Sequence, residues 1–268
     1  MDNRALSSGG SDRVAGMTDA IRRATGLRRT GPARFEGALD GSWYQGRGAF
    51  GGLLAGTILE AMDEVVADEA RAPRSLTVHF CAPATAGPFE LAVEEVRAGS
   101  RVTHLEARLS RDGEVTTMAT ASFCKTRDAS VHYARAVMPE VEPAAGLAEV
   151  PREVPGLPAF FEHVDARFCG PTMPFSGADR PEVAAWVRLR APDAASAANA
   201  ALLVDVLPPA VAATLAAPRP LASVDFTVRF FARFPLVGAL PDEHLLVAIT
   251  SRWAGDGYTE ELRDLWSP

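Results

Sequence analysis

Cysteine is scarce. Cys81, Cys124 and Cys169 are three among 268 residues, odd in number and far apart. That spacing excludes a fully paired disulfide framework and offers no zinc site, so buried, reduced thiols are expected. Long apolar runs are also lacking, since nothing approaches the roughly 18 uninterrupted apolar residues of a bilayer-spanning helix. The longest apolar region, 194–218, carries Asp205 and is broken by Pro208 and Pro209. The first residues, with Asp2, Arg4, Ser7 and Asp12, have no apolar core of a signal peptide. Positive charge is in deficit, 27 Lys and Arg against 34 Asp and Glu. A net charge of −7 argues against a nucleic-acid groove as the main working surface.

Familiar catalytic signatures are missing as well. His79, His104, His132, His163 and His244 are the five histidines, and no two have metal-pair spacing. His79 and His104 alternate with apolar neighbours, which suits packing. There is no Gly-x-Ser-x-Gly elbow of a serine hydrolase. Gly46 and Gly48 precede a helix, but the rest of a phosphate or dinucleotide fingerprint is absent. These absences lead to an expectation of a soluble cytoplasmic protein with no metal and no cofactor, acting on neither nucleic acid nor membrane.

What is present is ordinary globular material, 47% hydrophobic and 23% charged, in a chain long enough for two small cores. Residues 1–29 read as a polar tail and a short helix. From Phe35 the pattern becomes ordered, with a strand over 35–39 and a Gly-rich turn over 46–52. Apolar residues at helical spacing, Leu53, Leu54, Ile58, Ala61, Met62 and Val65, predict a helix over 52–67. Strands follow over 75–81, 89–96, 102–110 and 114–124, the last two joined by Arg111-Asp112-Gly113. A Pro- and Ala-rich stretch without periodicity separates domains at 30–130 and 159–268, with the linker over 131–158. The order then repeats: strands over 161–168 and 183–190, a helix over 199–213, and strands over 223–231, 245–253 and 258–266.

The duplication is visible in the residues. Thr77-Val78-His79-Phe80 recurs as Thr227-Val228-Arg229-Phe230 at an offset of about 150. Leu53-Leu54 then falls on Leu202-Leu203, and Gly56 on Asp205. The plan is α+β, a helix packed on a curved antiparallel sheet, twice over. The partner of strand 114–124 would begin just after Pro268, so the second half is expected to lack its last strand and leave an open edge.

Three features could carry chemistry. Asp205 is the only charged residue between Asp193 and Arg219, on an otherwise apolar helix. Such a carboxylate is costly unless partnered or used, so it either orients and deprotonates a water, faces solvent, or caps a broken helix end. Gly51 and Gly52 open the first helix after Phe50. Free N–H groups there can polarise a carbonyl, although a Gly pair is also an ordinary turn. Ser223 begins the strand in which Val224, Phe226, Val228 and Phe230 share a face. It could hold a water beside Asp205, yet alternation alone makes it a strand-edge residue.

Several of these segments together resemble a known family. In the first half they are Gly48-Ala49-Phe50-Gly51-Gly52, Arg74-Ser75-Leu76-Thr77-Val78-His79-Phe80 and Thr120-Ala121-Ser122-Phe123. In the second half they are Leu203-Val204-Asp205, Ala222-Ser223-Val224-Asp225-Phe226 and Asp256-Gly257-Tyr258, leading to Leu265-Trp266-Ser267-Pro268. In this order they resemble double-hotdog acyl-CoA thioesterases of type II. The resemblance implies two tandem hotdog folds, an acyl-CoA substrate and assembly into a homodimer or larger. It implies that Asp205, Ser223 and a C-terminal Gln hold the attacking water; the Gln has no counterpart here. Phe50, Gly51 and Gly52 are expected at the substrate carbonyl. Because Gly56 stands where the second half has Asp205, one site per chain is expected. An enoyl-CoA hydratase or dehydratase of the same fold would pair Asp with a His a few residues on, which neither Asp205 nor Asp225 has. A non-catalytic acyl-CoA binding protein is the other alternative.

Overall fold

The computed structural model describes residues 20–236 and 238–268; of the expected N-terminal tail, residues 1–19 lie outside the described residues. The chain begins with a short helix α1 (Ala20–Thr25), then β1 (Arg28–Gly31) and β2 (Arg34–Leu39). A two-stranded ribbon, β3 (Tyr44–Gln45) and β4 (Gly48–Ala49), leads into helix α2 (Gly51–Val66). Four antiparallel strands follow: β5 (Arg71–Phe80), β6 (Gly87–Ala98), β7 (Val102–Arg111) and β8 (Glu114–Lys125).

The sequence explains this order. Along β5, Leu76 and Val78 are buried while His79 is exposed, the period of two that turns one face to a core. Helix α2 is buried on nearly every side of its first three turns, because the sheet wraps one face and a second helix covers the other. Full burial of Leu53, Ile58 and Met62 stabilises the fold by about 1.5–3 kcal/mol each. Asp112 and Gly113, at φ of 50° and 81°, make the primed turn that suits a twisted hairpin.

Residues 126–158 contain one 3-10 helix, Ala144–Gly146, two turns at 152–153 and 155–156, and otherwise irregular chain without a strand. They are not a free tether. Met138, Val141 and Leu147 pack against Ala184, Trp186 and Leu246, and Trp186 Nε1 donates to the Glu142 carbonyl at 2.8 Å.

The second half supplies β9 (Val164–Phe168), β10 (Glu182–Leu189), α3 (Ala197–Leu203), β11 (Asp225–Arg229), β12 (Leu245–Gly255) and β13 (Tyr258–Trp266). Asp256 and Gly257, at φ of 52° and 82°, repeat the hairpin turn of the first half. Of the strand expected over 161–168, residues 164–168 form β9, whereas 161–163 belong to a 3-10 turn, Ala159–His163, whose Phe160 stacks on Phe50 at 4.1 Å. His163 stacks on Trp43 at 4.2 Å and shares a hydrogen bond with Ser42 at 2.8 Å, tying the halves together beside the start of α2.

The second helix departs most from expectation. It ends at Leu203 after 7 residues, and a separate 3-10 turn spans Ala210–Thr214. Pro208 and Pro209 lack the N–H groups that would continue the ladder, so the break falls before them. Asp205 therefore lies in a turn beyond the helix, not on it.

The two halves join through equivalent strands and equivalent helices. β11 pairs antiparallel with β5, with Thr227 opposite Thr77 and their hydroxyls 2.9 Å apart. The recurring tetrapeptides thus meet each other, about a local pseudo-twofold axis. α2 and α3 cross on the same axis: a Cβ at Gly52 would lie 2.5 Å from the Leu202 carbonyl, and one at Gly56 would lie 3.0 Å from that of Ala198. The resulting sheets run β1-β2-β6-β7-β8-β5-β11 and β13-β12-β10-β9. In the first half β8 separates β7 from β5; among the described residues no strand lies between their counterparts β13 and β11. Val224, just before β11, and Leu262, on β13, are 61% and 51% exposed.

Candidate active site

Helix α2 starts at Gly51, with Phe50 as its N-cap. The first N–H groups of a helix have no carbonyl one turn back, so they point outward with partial positive charge. The Phe50 N–H is the exception, since it donates to the Trp43 carbonyl at 2.8 Å and its ring is fully buried. Phe50 thus anchors the helix start, and the Gly51 and Gly52 N–H groups remain at the surface of contact with the second half.

Asp205 meets them there. Its Oδ2 is 2.9 Å from where a Gly51 Cβ would lie, and the Gly52 N–H lowers the pKa of the carboxyl group. The Phe80 ring, at the end of β5, also closes to 2.9 Å of that Gly51 position. Only glycine leaves room for a carboxylate and an aromatic ring at one backbone position. The Asp205 side chain is 11% exposed, with Arg263 of β13 at 3.6 Å from Oδ1. Burial pushes its pKa up to about 6; the Arg263 charge and the Gly52 N–H act downward, and Glu261 acts upward. A carboxylate poised near 6 is a usable base at neutral pH.

Ser223 lies just before β11 and is exposed. The next residue, Val224, accepts a hydrogen bond from the Phe80 N–H at 3.0 Å, which places Ser223 at the same sheet end as Phe80. No contact between Ser223 and Asp205 is seen. The chain's single glutamine, Gln45, sits in β3 of the first half.

Sequence reasoning missed Glu261 and Arg263, which grip the backbone around Asp205. Their signal was faint: an acid and a base two residues apart on one strand face. Two cavities lie elsewhere. A groove of about 630 Å³ runs past Gly26, Gly37, Asp40 and Phe89, and one of about 30 Å³ adjoins Asp193 and Asn199. A second buried carboxylate, Asp165, is structural in its setting. Burial pushes it up, but Arg167, Arg188 and His244 outweigh that and hold it at about 2. Burial also pushes the Cys169 thiol up to about 11, which leaves it unreactive. Among the described residues no cluster of His, Cys, Asp and Glu could hold a metal ion, and no helix is long and apolar enough to cross a membrane.

Comparison with known proteins places this architecture. Residues 39–124 match the acyl-CoA thioesterase N-terminal domain, and residues 137–268 match the acyl-CoA thioesterase C-terminal domain. A hot dog fold protein of unknown function from Alicyclobacillus acidocaldarius superposes with a TM-score of 0.80 at 30% identity, over 93% of this chain and 92% of that one. A protein assigned as thioesterase II from Thermobifida fusca gives 0.75 at 26% identity, over 94% of each chain. The acyl-CoA thioesterase II of Mycobacterium marinum shares the fold, with a TM-score of 0.71 at 22% identity over 92% of each chain. No curated protein matches the sequence. With both domains matched in order and two hot dog halves sharing a pseudo-twofold axis, this chain belongs to the acyl-CoA thioesterase family and is a thioester hydrolase.

Proposed function

We propose that the chain hydrolyses acyl-CoA thioesters with a water that Asp205 orients and deprotonates, at one site per chain. The observation that carries this reading is the seating of the Asp205 carboxylate, from the second half, over the Gly51-Gly52 start of α2 in the first. A base and an N–H donor thus face one small space from opposite halves. A thioester carbonyl is reactive enough that such a pair suffices without a covalent intermediate.

In the proposed step the water oxygen bonds to the thioester carbon while its proton passes to Asp205. The carbonyl oxygen becomes an oxyanion that accepts from the N–H groups of the Gly51-Gly52 helix start. Collapse breaks the C–S bond, and the departing thiolate takes the proton back from Asp205. The products are a free acid and CoA. Ser223 would hold the water from the strand side. The apolar acyl chain would leave along Phe80 and Phe226, whose rings lie 5.7 Å apart. Fatty acyl substrates, a cytoplasmic location and a homo-oligomeric state complete the proposal.

Free-thiol release from a panel of acyl-CoAs, C2 to C16, tests it beside Asp205→Ala. Turnover that falls at least about 100-fold in the variant is expected, the usual weight of a general base. Undiminished turnover in Asp205→Ala would refute the assignment, and tight binding without turnover in the wild type would make the protein an acyl-CoA binder.

A further inference from the structure

We infer that Glu261 and Arg263 of β13 form a positioning pair that holds the Asp205 turn in its working place and sets the charge beside it. The inference rests on the reading of Asp205 as the base. It starts from a backbone problem. α3 stops at Leu203, and Pro208 and Pro209 have no N–H to offer, so carbonyls of the 204–207 turn lose their helical partners.

Arg263 supplies what is missing. Its Nη1 donates to the Val204 carbonyl at 3.1 Å and to the Leu207 carbonyl at 3.1 Å, on either side of Asp205. The same nitrogen lies 3.6 Å from Asp205 Oδ1. Glu261, two residues earlier on the same strand face, holds the guanidinium in turn. Its Oε1 accepts from Arg263 Nε at 2.8 Å and from Nη2 at 2.6 Å. Its Oε2 accepts from the Ala210 N–H at 2.9 Å, which caps the 3-10 turn that follows the prolines. The segment 204–210 is thus fastened at both ends by one strand. Both side chains are largely buried, 16% and 20% exposed, so these contacts are little weakened by solvent.

The arrangement is specific to arginine. A planar fork can bind two carbonyls and a carboxylate at once, whereas a lysine ammonium keeps the charge but loses the geometry. The charged groups facing Asp205 among the described residues are Arg263 and Glu261, both from β13; α2 presents the Gly51 and Gly52 backbone, and β5 presents the Phe80 ring. The cation favours the ionised base and the anion opposes it, so removing one or the other moves the acidic limb of activity in opposite directions.

The test is kcat and KM against pH from 5 to 9, on the acyl-CoA turned over fastest, for the wild type, Asp205→Asn, Arg263→Met, Arg263→Lys and Glu261→Gln. Arg263→Met should shift the acidic limb of kcat upward by about one pH unit, losing about fivefold at pH 6 and little at pH 8.5. KM should stay within about twofold, since substrate contacts are untouched. Arg263→Lys should restore the limb but only part of kcat, and Glu261→Gln should move the limb downward. If Arg263→Met is poorly folded, the unshifted limb with lowered kcat in Arg263→Lys and the downward shift in Glu261→Gln still decide. Limbs that stay put in both Arg263→Met and Glu261→Gln while rates fall equally at every pH would overturn the inference, with Asp205→Asn inactive. Wild-type rates in Asp205→Asn would instead overturn the reading on which it rests.

Discussion

Replacing Asp205 by Asn should make the protein more stable while making it nearly inactive, and the gain should depend on pH. Burial holds the folded-state carboxyl at about 6, against an ordinary value of 3.8. Because the folded pKa is the higher one, the folded state binds the proton more tightly than the unfolded state. The group's contribution is therefore complete below about pH 3.8 and is lost as pH rises through about 6. At 1.36 kcal/mol per pH unit, ionising this buried carboxyl costs the fold at most about 3 kcal/mol above pH 7. An uncharged Asn carries no such penalty, although Arg263 loses one partner and keeps Glu261 and two carbonyls. For a chain of this size each kcal/mol moves Tm by about 2–4 °C, so a gain of several degrees at pH 8 is expected. At pH 4.5, where about 1 kcal/mol of that cost has appeared, the two proteins should melt within about 4 °C of each other. Thermal unfolding followed by circular dichroism between pH 4.5 and 8 measures this. A Tm difference independent of pH, or a loss at pH 8, would refute the reasoning, because the cost of the buried charge would not exist.

Three further outcomes follow from the same geometry. Gly52→Ala should lower stability by about 1–3 kcal/mol in urea unfolding, since its Cβ would sit 2.5 Å from the Leu202 carbonyl at the helix crossing. Gly51→Ala should cost less stability but reduce kcat at least tenfold in the thiol-release assay, because its methyl would displace the Asp205 carboxylate and the Phe80 ring. Asp165→Ala should destabilise by about 3–5 kcal/mol in chemical denaturation, since it strands Arg167 and Arg188 in a largely buried setting. In the wild type the stability that Asp165 provides is present above about pH 4 and lost as pH falls toward 2, the sign set by its depressed pKa.

Much of the architecture was legible in the residues because periodicity reports burial directly. The alternation of β5 and the apolar surround of α2 marked a sheet wrapped on a helix, and Arg111-Asp112-Gly113 marked the hairpin of the first half. The recurring Thr-Val tetrapeptide announced two copies of one plan, and the match of Gly56 to Asp205 announced their asymmetry. Linear pattern did not say that the copies would pair Thr77 with Thr227, since register across an axis depends on both surfaces together. Nor did it say where the second helix stops. Its apolar run continued past Leu203, and only the two prolines hinted at the break. Arg263 and Glu261 were invisible as partners of Asp205 because more than 50 residues of chain separate them from it. Composition and local spacing therefore determined the elements, the duplication and the one out-of-place carboxylate, because each is set by neighbours along the chain. The pairing of β11 with β5, the crossing of α2 on α3, and the meeting of Asp205 with the Gly51-Gly52 amides and Arg263 were decided only by the tertiary structure. They depend on which surfaces the packed halves bring together, and that is a property of three dimensions.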